Sequence, residues 1–135
     1  MRIYTSYFAN SKKLTQAGIM VIGVALYPPR WFNGVSVKSV APTPSILHAR
    51  GQTQEKYTER YRNEVLSRVN PHQFMENLRN LSQGHDVALC CYEKPGTFCH
   101  RHILAEWLSD TTGENVTEWG ASDNPKQPEQ LVLFG

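Results

Sequence analysis

The strongest constraint on the fold is a continuous apolar run at residues 19–26, which ends just before Pro28 and Pro29. A half-buried strand alternates apolar and polar side chains, but this run is apolar throughout. Continuous apolarity is typical of a strand covered on both faces, as in a parallel sheet beneath helices. Residues 86–92 contain a second run of this kind, so we predict a second buried strand there.

The remaining segments follow helical or strand periodicity, and the clearest helix starts at Asn70-Pro71 and stops at Gly84. Asparagine is a good N-cap, proline suits the first helical position, and glycine suits the position after the end. Strands separated by helices predict an α/β protein: a single three-layer domain with a mainly parallel, Rossmann-like or flavodoxin-like sheet flanked by helices. The predicted strands are residues 3–9, 19–26, 86–92 and 115–119, with an edge strand near 35–37, and the other helices are 53–69 and 101–110.

The chain of 135 residues has the length of one domain. We expect that domain to span residues 1–120 and residues 121–135 to form a C-terminal tail that packs on the domain or on a neighbour. Residues 30–45 form a long irregular connection, which is either functional or a surface excursion around the edge strand.

The net charge restricts the binding partners that we expect, and the cysteine content restricts the cellular compartment. The formal net charge of +2 permits contact with phosphates without requiring it, and no polybasic segment indicates a membrane surface. The three cysteines, Cys90, Cys91 and Cys99, make a poor disulfide framework, so we expect reduced cysteines in a cytoplasmic protein. The longest apolar run, at residues 19–27, is too short to span a bilayer.

Parallel sheets bind ligands outside the carboxyl ends of their strands. Chemistry-bearing residues lie at or after the ends of three of the predicted strands. From these positions we expect a site formed by Ser6, Tyr7, Arg30, Trp31, Glu93, Cys99, His100 and Arg101.

The turn Cys99-His100-Arg101 carries most of this chemistry. A helix N-terminus attracts anions, and an arginine fork suits phosphate or carboxylate. The same environment lowers the pKa of a thiol, and a histidine transfers protons near neutral pH. We therefore assign catalysis to Cys99, His100 and Glu93, and ligand binding to Arg101, Ser6, Tyr7, Arg30 and Trp31.

Two other interpretations of this turn remain open. In the first, Cys99 is a small capping residue and Arg101 forms an ion pair with Glu106 or Glu93. In the second, Cys99, His100 and His102 hold zinc, but Cys-x-x-Cys and His-Glu-x-x-His spacings are absent. We expect no metal and no cofactor.

Residues 88–108 resemble the family known as domain of unknown function 488, whose members carry an apolar strand, a Glu-containing loop, Cys-His-Arg and a Leu-Ala-Glu helix. Residues 3–6 resemble its opening strand, residues 26–30 its second strand and proline loop, and Tyr57-x3-Tyr61 its tyrosine-bearing helix. The resemblance implies an α/β fold and a site at Cys-His-Arg, but no particular reaction.

The chain departs from this family in two places. Many members have Asp-Val-Arg near the end of the second strand, where this sequence has Val24-Ala25-Leu26. The connection at residues 31–50 matches only loosely. A role of that aspartate and arginine is therefore missing here or has passed to Arg30.

Four functional hypotheses follow, and the sequence leaves open whether the protein is an enzyme. The first is an enzyme that binds a phosphorylated, nucleotide-like small molecule at Cys99-His100-Arg101. The second is a non-catalytic ligand-binding or sequestering module that uses the same pocket. The third is a nucleic-acid-associated accessory protein, which the low net charge disfavours. The fourth is redox sensing through the three cysteines.

Overall fold

The computed structural model describes residues 1–120. The strands are β1 (Ile3–Tyr7), β2 (Met20–Gly23), β3 (Val35–Ser36), β4 (Val87–Cys91) and β5 (Val116–Glu118). The helices are α1 (Ser11–Gln16), α2 (Pro44–Leu47), α3 (Gln54–Glu64), α4 (Pro71–Ser82) and α5 (His100–Thr112). Short 3-10 turns lie at Phe8–Asn10, Lys38–Val40 and Leu66–Arg68.

The five strands form one sheet in the order β3-β2-β4-β1-β5, and every neighbouring pair is parallel. This confirms the predicted three-layer α/β domain. Strand β4 is central, and all five of its residues are buried. Its unbroken apolar sequence therefore reflects strands on both edges and helices over both faces.

The predicted strand at residues 19–26 is too long, because β2 ends at Gly23. The N–H of Val24 still donates to the carbonyl of Cys90, at 2.9 Å. The carbonyl of Val24, however, is bonded to the ring of His100 instead of a neighbouring strand. The chain leaves the sheet at this point, so tertiary contact sets the end of the strand.

The predicted helix at residues 53–69 is also too long: α3 ends at Glu64 and a 3-10 turn follows. Helix starts are predicted better, because capping is a local property. The side chain of Asn70 accepts a hydrogen bond from the N–H of Gln73, at 3.0 Å. Helix α4 ends where Gln83 and Gly84 both take left-handed backbone angles.

The long connection at residues 30–45 holds the predicted edge strand β3 and the start of α2, which the sequence analysis missed. The sequence signal for the start of α2 is Thr43 before Pro44. The Thr43 hydroxyl accepts a hydrogen bond from the N–H of Ile46, at 3.2 Å, and proline occupies the first turn.

The predicted tail, residues 121–135, lies outside the described residues. Within residues 1–120, every helix is too short or too polar to cross a bilayer.

Candidate functional site

A cavity of about 200 Å³ opens at the carboxyl ends of β2 and β4. Its walls include Tyr27 after β2, Tyr57 on α3, Glu93 and Phe98 in the loop after β4, and Cys99 and His100 at the start of α5. The location agrees with the general rule for parallel sheets. Three segments far apart in sequence meet there because parallel strands end at the same edge.

Cys91 and Cys99 are joined by a disulfide that lines this cavity. The prediction of reduced cysteines is therefore wrong for this pair. Cys91 is the last residue of β4, and the loop that follows brings Cys99 back to the same edge. Cys90 is a buried free thiol, and its burial raises its pKa to about 12. It does not line the cavity, because successive side chains of a strand point to opposite faces.

His100 is held in one orientation by the backbone of the neighbouring segment. Its Nε2 lies 2.7 Å from the carbonyl oxygen of Val24, and its Nδ1 lies 3.7 Å from Sγ of Cys99. A carbonyl only accepts hydrogen bonds, so Nε2 carries the proton. Burial lowers the pKa of His100 to about 4. The ring is therefore neutral near pH 7, and the Nδ1 lone pair faces the sulfur.

Arg101 lies on the other side of the turn and is fully buried. Its Nε and Nη2 donate to the two carboxylate oxygens of Glu118, at 3.2 and 2.9 Å. Its Nη1 donates to the carbonyl of Glu93 at 2.6 Å and to Sγ of Cys91 at 3.0 Å. Most of the guanidinium donors thus have protein partners, and the side chain does not line the cavity.

The alternative prediction that Arg101 forms an ion pair is confirmed, but the predicted partners, Glu106 and Glu93, are wrong. The partner is the carboxylate of Glu118 on β5, and Glu93 contributes only its backbone oxygen. Glu106 instead pairs with Arg62. Helix α5 and strand β5 are consecutive, but spacing in sequence does not reveal that Glu118 faces the helix.

Two tyrosines of α3 lie beside the site: Tyr57 lines the cavity, and Tyr61 packs behind it against His100. Burial, with the nearby charge of Glu93, raises the pKa of Tyr57 to about 12, so its phenol remains a proton donor. Tyr61 is fully buried, donates its hydroxyl to the carbonyl of Val40 at 2.5 Å, and packs edge-on against His100 with ring centroids 5.5 Å apart. Both belong to the segment that resembles the family's tyrosine-bearing helix, but neither is among the site residues predicted from the sequence.

Four of the predicted ligand-binding residues are absent from the cavity walls: Ser6, Tyr7, Arg30 and Trp31. Ser6 is buried, and its hydroxyl accepts a hydrogen bond from Asn10 at 3.1 Å. Trp31 is 62% exposed and meets Phe8 edge-on, with ring centroids 6.4 Å apart. The structure therefore brings together Cys99, His100 and Glu93 from the predicted set, and adds Cys91.

Among residues 1–120, one group of potential metal ligands lies close together: atoms of Cys91, Cys99 and His100, all within 4.8 Å of one another. Two of these ligands are bonded to each other as a disulfide and offer no thiolate in that state. His102, the third residue of the zinc alternative, is not in this group, and its Nδ1 lies 4.0 Å from Glu118 instead.

The fold and the cavity define a parallel three-layer α/β protein with a cysteine–histidine pair at the carboxyl edge of its sheet. The family model DUF488-N3a, described as the active DUF488-N3 subclade, matches residues 4–112. The chain therefore belongs to the DUF488 family, as its Cys-His-Arg turn indicated. Searches of curated proteins and of solved structures find no match to this chain.

Proposed function

We propose that this protein is an enzyme that uses Cys99 as a nucleophile on a small molecule bound in the cavity. One observation carries the proposal: His100 is fixed by Val24 so that its unprotonated Nδ1 faces Sγ of Cys99 at 3.7 Å. A nucleophile beside an oriented base is the arrangement that activates a thiol. The matched family model, which describes an active subclade, also supports an enzyme.

The chemistry requires Cys99 in its reduced state. His100 then accepts the thiol proton at Nδ1, and Cys99 reacts as a thiolate at the N-cap position of α5. The partial positive charge of the helix N-terminus stabilises that thiolate. The thiolate in turn favours the protonated ring, which raises the pKa of His100 above its value in the disulfide state.

We propose a nucleotide-like ligand, in keeping with the aromatic walls of the cavity. Tyr27, Tyr57 and Phe98 offer faces for a flat ring. No side chain caps the first turn of α5, so its N–H groups remain for a phosphate. The cavity walls within residues 1–120 contain no lysine or arginine, so a phosphate would depend on these N–H groups and not on the Arg101 guanidinium.

A thermal-shift screen of nucleosides, the matching nucleotides and sugar phosphates tests the ligand class on reduced protein. We expect stabilisation that grows with ligand concentration and is larger for nucleotides than for nucleosides. Trp31→Ala is the matched control, because Trp31 lies outside the cavity. Stabilisation by none of these compounds would contradict a nucleotide-like ligand.

Alkylation tests the nucleophile independently of the ligand. In a Cys91→Ser background, we expect iodoacetamide at pH 6.5 to modify Cys99 at least about tenfold faster than an unstructured cysteine peptide. Buried Cys90 is an internal control and should stay unmodified. His100→Gln should remove the enhancement. A Cys99 rate equal to that of the peptide would refute the nucleophilic role.

A non-catalytic binding module is the second candidate, and one observation favours it. Residues 24–26 replace the Asp-Val-Arg of many family members with apolar side chains, and two of these residues, Ala25 and Leu26, line the cavity. An enzyme should convert a stabilising ligand to a product detectable by mass spectrometry, and Cys99→Ser should abolish conversion while binding persists. A binding module gives binding without conversion in both proteins.

A further inference from the structure

The disulfide between Cys91 and Cys99 lies in the cavity wall, where a small molecule reaches it. Structural disulfides usually cross-link surface loops or domains with small cores, whereas this one joins the end of a central strand to the start of a helix at the candidate site. The domain also has an extended hydrophobic core, so it does not need a disulfide for stability. The position therefore indicates a chemical role.

The two sulfur atoms have different polar neighbours. Nη1 of Arg101 donates to Sγ of Cys91 at 3.0 Å, and this permanent cation favours a thiolate there. Nδ1 of His100 lies 3.7 Å from Sγ of Cys99 and is able to exchange a proton with it. In thiol–disulfide exchange the better leaving sulfur is the one with the more stable thiolate. The helix N-terminus also favours a thiolate at Cys99, but less strongly than a direct charge-assisted hydrogen bond does, so Cys91 is the leaving sulfur and Cys99 is the sulfur that is attacked.

We propose that Cys91 and Cys99 form a thiol–disulfide exchange centre, opened by low-molecular-mass thiols and closed by low-molecular-mass disulfides. This inference rests on the proposed nucleophilic role of Cys99. It adds a second activity to the cavity: while the disulfide is closed Cys99 has no free thiol, so exchange also controls the nucleophile.

Opening takes two displacements. An external thiolate attacks Sγ of Cys99, the Cys91–Cys99 bond breaks, and its electron pair leaves on Sγ of Cys91 beside Arg101. A second external thiol passes its proton to Nδ1 of His100 and attacks the external sulfur of the mixed disulfide. Cys99 leaves as a thiolate and takes that proton. The products are an external disulfide, the Cys99 thiol, and the Cys91 thiolate balanced by the proton that the first thiol released.

The accessibility of the pair selects the partner. Cys91 is 1% exposed and Cys99 is 7% exposed, and both line a cavity of about 200 Å³, so Cys99 is the more accessible of the two. A small thiol enters such a cavity more readily than a cysteine fixed on the surface of a folded protein does. The proposed reductant therefore belongs to the low-molecular-mass class.

Thiol counting on the full chain tests the centre, with glutathione as the probe. The protein is equilibrated at graded ratios of reduced to oxidised glutathione, denatured in acid, labelled with maleimide and weighed. We expect one labelled cysteine, Cys90, at the oxidising end and three at the reducing end. Cys90→Ser should lower each count by one without moving the midpoint. Three labelled cysteines at every ratio would overturn the proposal.

Single-cysteine variants test the assigned roles. With oxidised glutathione, Cys91→Ser should accumulate a glutathione adduct on Cys99. Cys99→Ser should leave Cys91 largely unmodified, because Cys91 is only 1% exposed. Adducts at equal rates on both would overturn the assignment. His100→Gln should slow opening of the wild-type disulfide by about tenfold or more, because it removes the proton-transfer group.

The same variants separate this inference from the proposed function. Cys91→Ser cannot form the disulfide but keeps the pair of Cys99 and His100. If Cys99 is reactive in that variant while the wild-type pair never closes, the exchange centre fails and the proposed function stands. If Cys99 is unreactive in Cys91→Ser, the nucleophile itself fails, and the exchange centre fails with it.

Discussion

Cys99 and Arg101 are two residues apart, yet they belong to different regions of the molecule. Cys99 and His100 face the cavity beside β2, whereas Arg101 is buried towards β5, where it pairs with Glu118. Successive residues of a helix point about 100° apart, so neighbours at a helix start do not share one direction. The three residues of this motif therefore have two different surroundings: Cys99 and His100 line the cavity, and Arg101 forms an ion pair behind it.

The first prediction concerns the ion pair between Arg101 and Glu118, whose loss has the largest expected effect. Glu118→Gln leaves the guanidinium buried without its counter-charge, so we expect a loss of about 3–5 kcal/mol in the free energy of unfolding. Urea denaturation measures the loss. The double variant Arg101→Met, Glu118→Leu should recover much of it, because paired apolar groups carry no desolvation cost. A loss below about 1 kcal/mol in Glu118→Gln would contradict a structural role for the pair.

The second prediction uses pH to isolate His100 on the cavity side. Burial lowers its pKa from 6.5 to about 4, so between these values the unfolded chain binds more protons than the folded protein. Stability should therefore fall as pH drops from about 6.5 to about 4, by on the order of 3 kcal/mol, and be flat above that range.

Urea denaturation across this range measures the effect as the difference between wild type and His100→Gln. His72→Gln is the control, since His72 is exposed and should keep the wild-type profile. A His100→Gln profile parallel to that of wild type would show that His100 is not buried as a neutral ring.

The third prediction concerns the support of the cavity side by α3. Tyr61→Phe keeps the ring that packs on His100 but leaves the buried carbonyl of Val40 without its donor. We expect a loss of about 1–2 kcal/mol by chemical denaturation. Tyr57→Phe is the matched control, with an expected change within about 0.5 kcal/mol, because the Tyr57 side chain lines the cavity and is only partly buried. Equal losses would contradict the buried hydrogen bond.

The smallest effect is expected at Trp31, which the sequence placed in the site and the structure places outside the cavity. Trp31→Ala should change the free energy of unfolding by no more than about 0.5 kcal/mol, as for other surface positions. It should also leave the thermal shift produced by any cavity ligand unchanged. A ligand shift that disappears in Trp31→Ala would move the binding site away from the cavity.

The cavity illustrates how much of the site was predictable. The sequence predicts that residues near the carboxyl ends of the strands converge, because parallel strands end at one edge of the sheet. Three of these residues, Cys99, His100 and Glu93, line the cavity. Ser6 and Tyr7 end β1, and Arg30 and Trp31 follow β2, but none of the four lines the cavity. The position of a residue after a strand places it at the correct edge, and only the path of the following loop decides where it points.

The elements whose causes are local could be predicted from the amino-acid sequence alone. Unbroken apolar runs marked the buried strands, a capping residue and proline marked the start of α4, and the Cys-His-Arg turn indicated the family. These features depend on side-chain periodicity, on backbone geometry and on a short motif, and each of these is a property of a few consecutive residues.

The pairings between distant segments could be seen only in the folded chain. The disulfide joins a strand residue to a helix start, His100 is oriented by Val24, and Arg101 forms an ion pair with Glu118. Each contact depends on strand order and on the direction of a side chain in the folded chain. Many arrangements of the strands and helices are compatible with the sequence pattern, and burial of the hydrophobic core selects one of them. These contacts therefore follow from the fold and not from the spacing of the residues in the sequence.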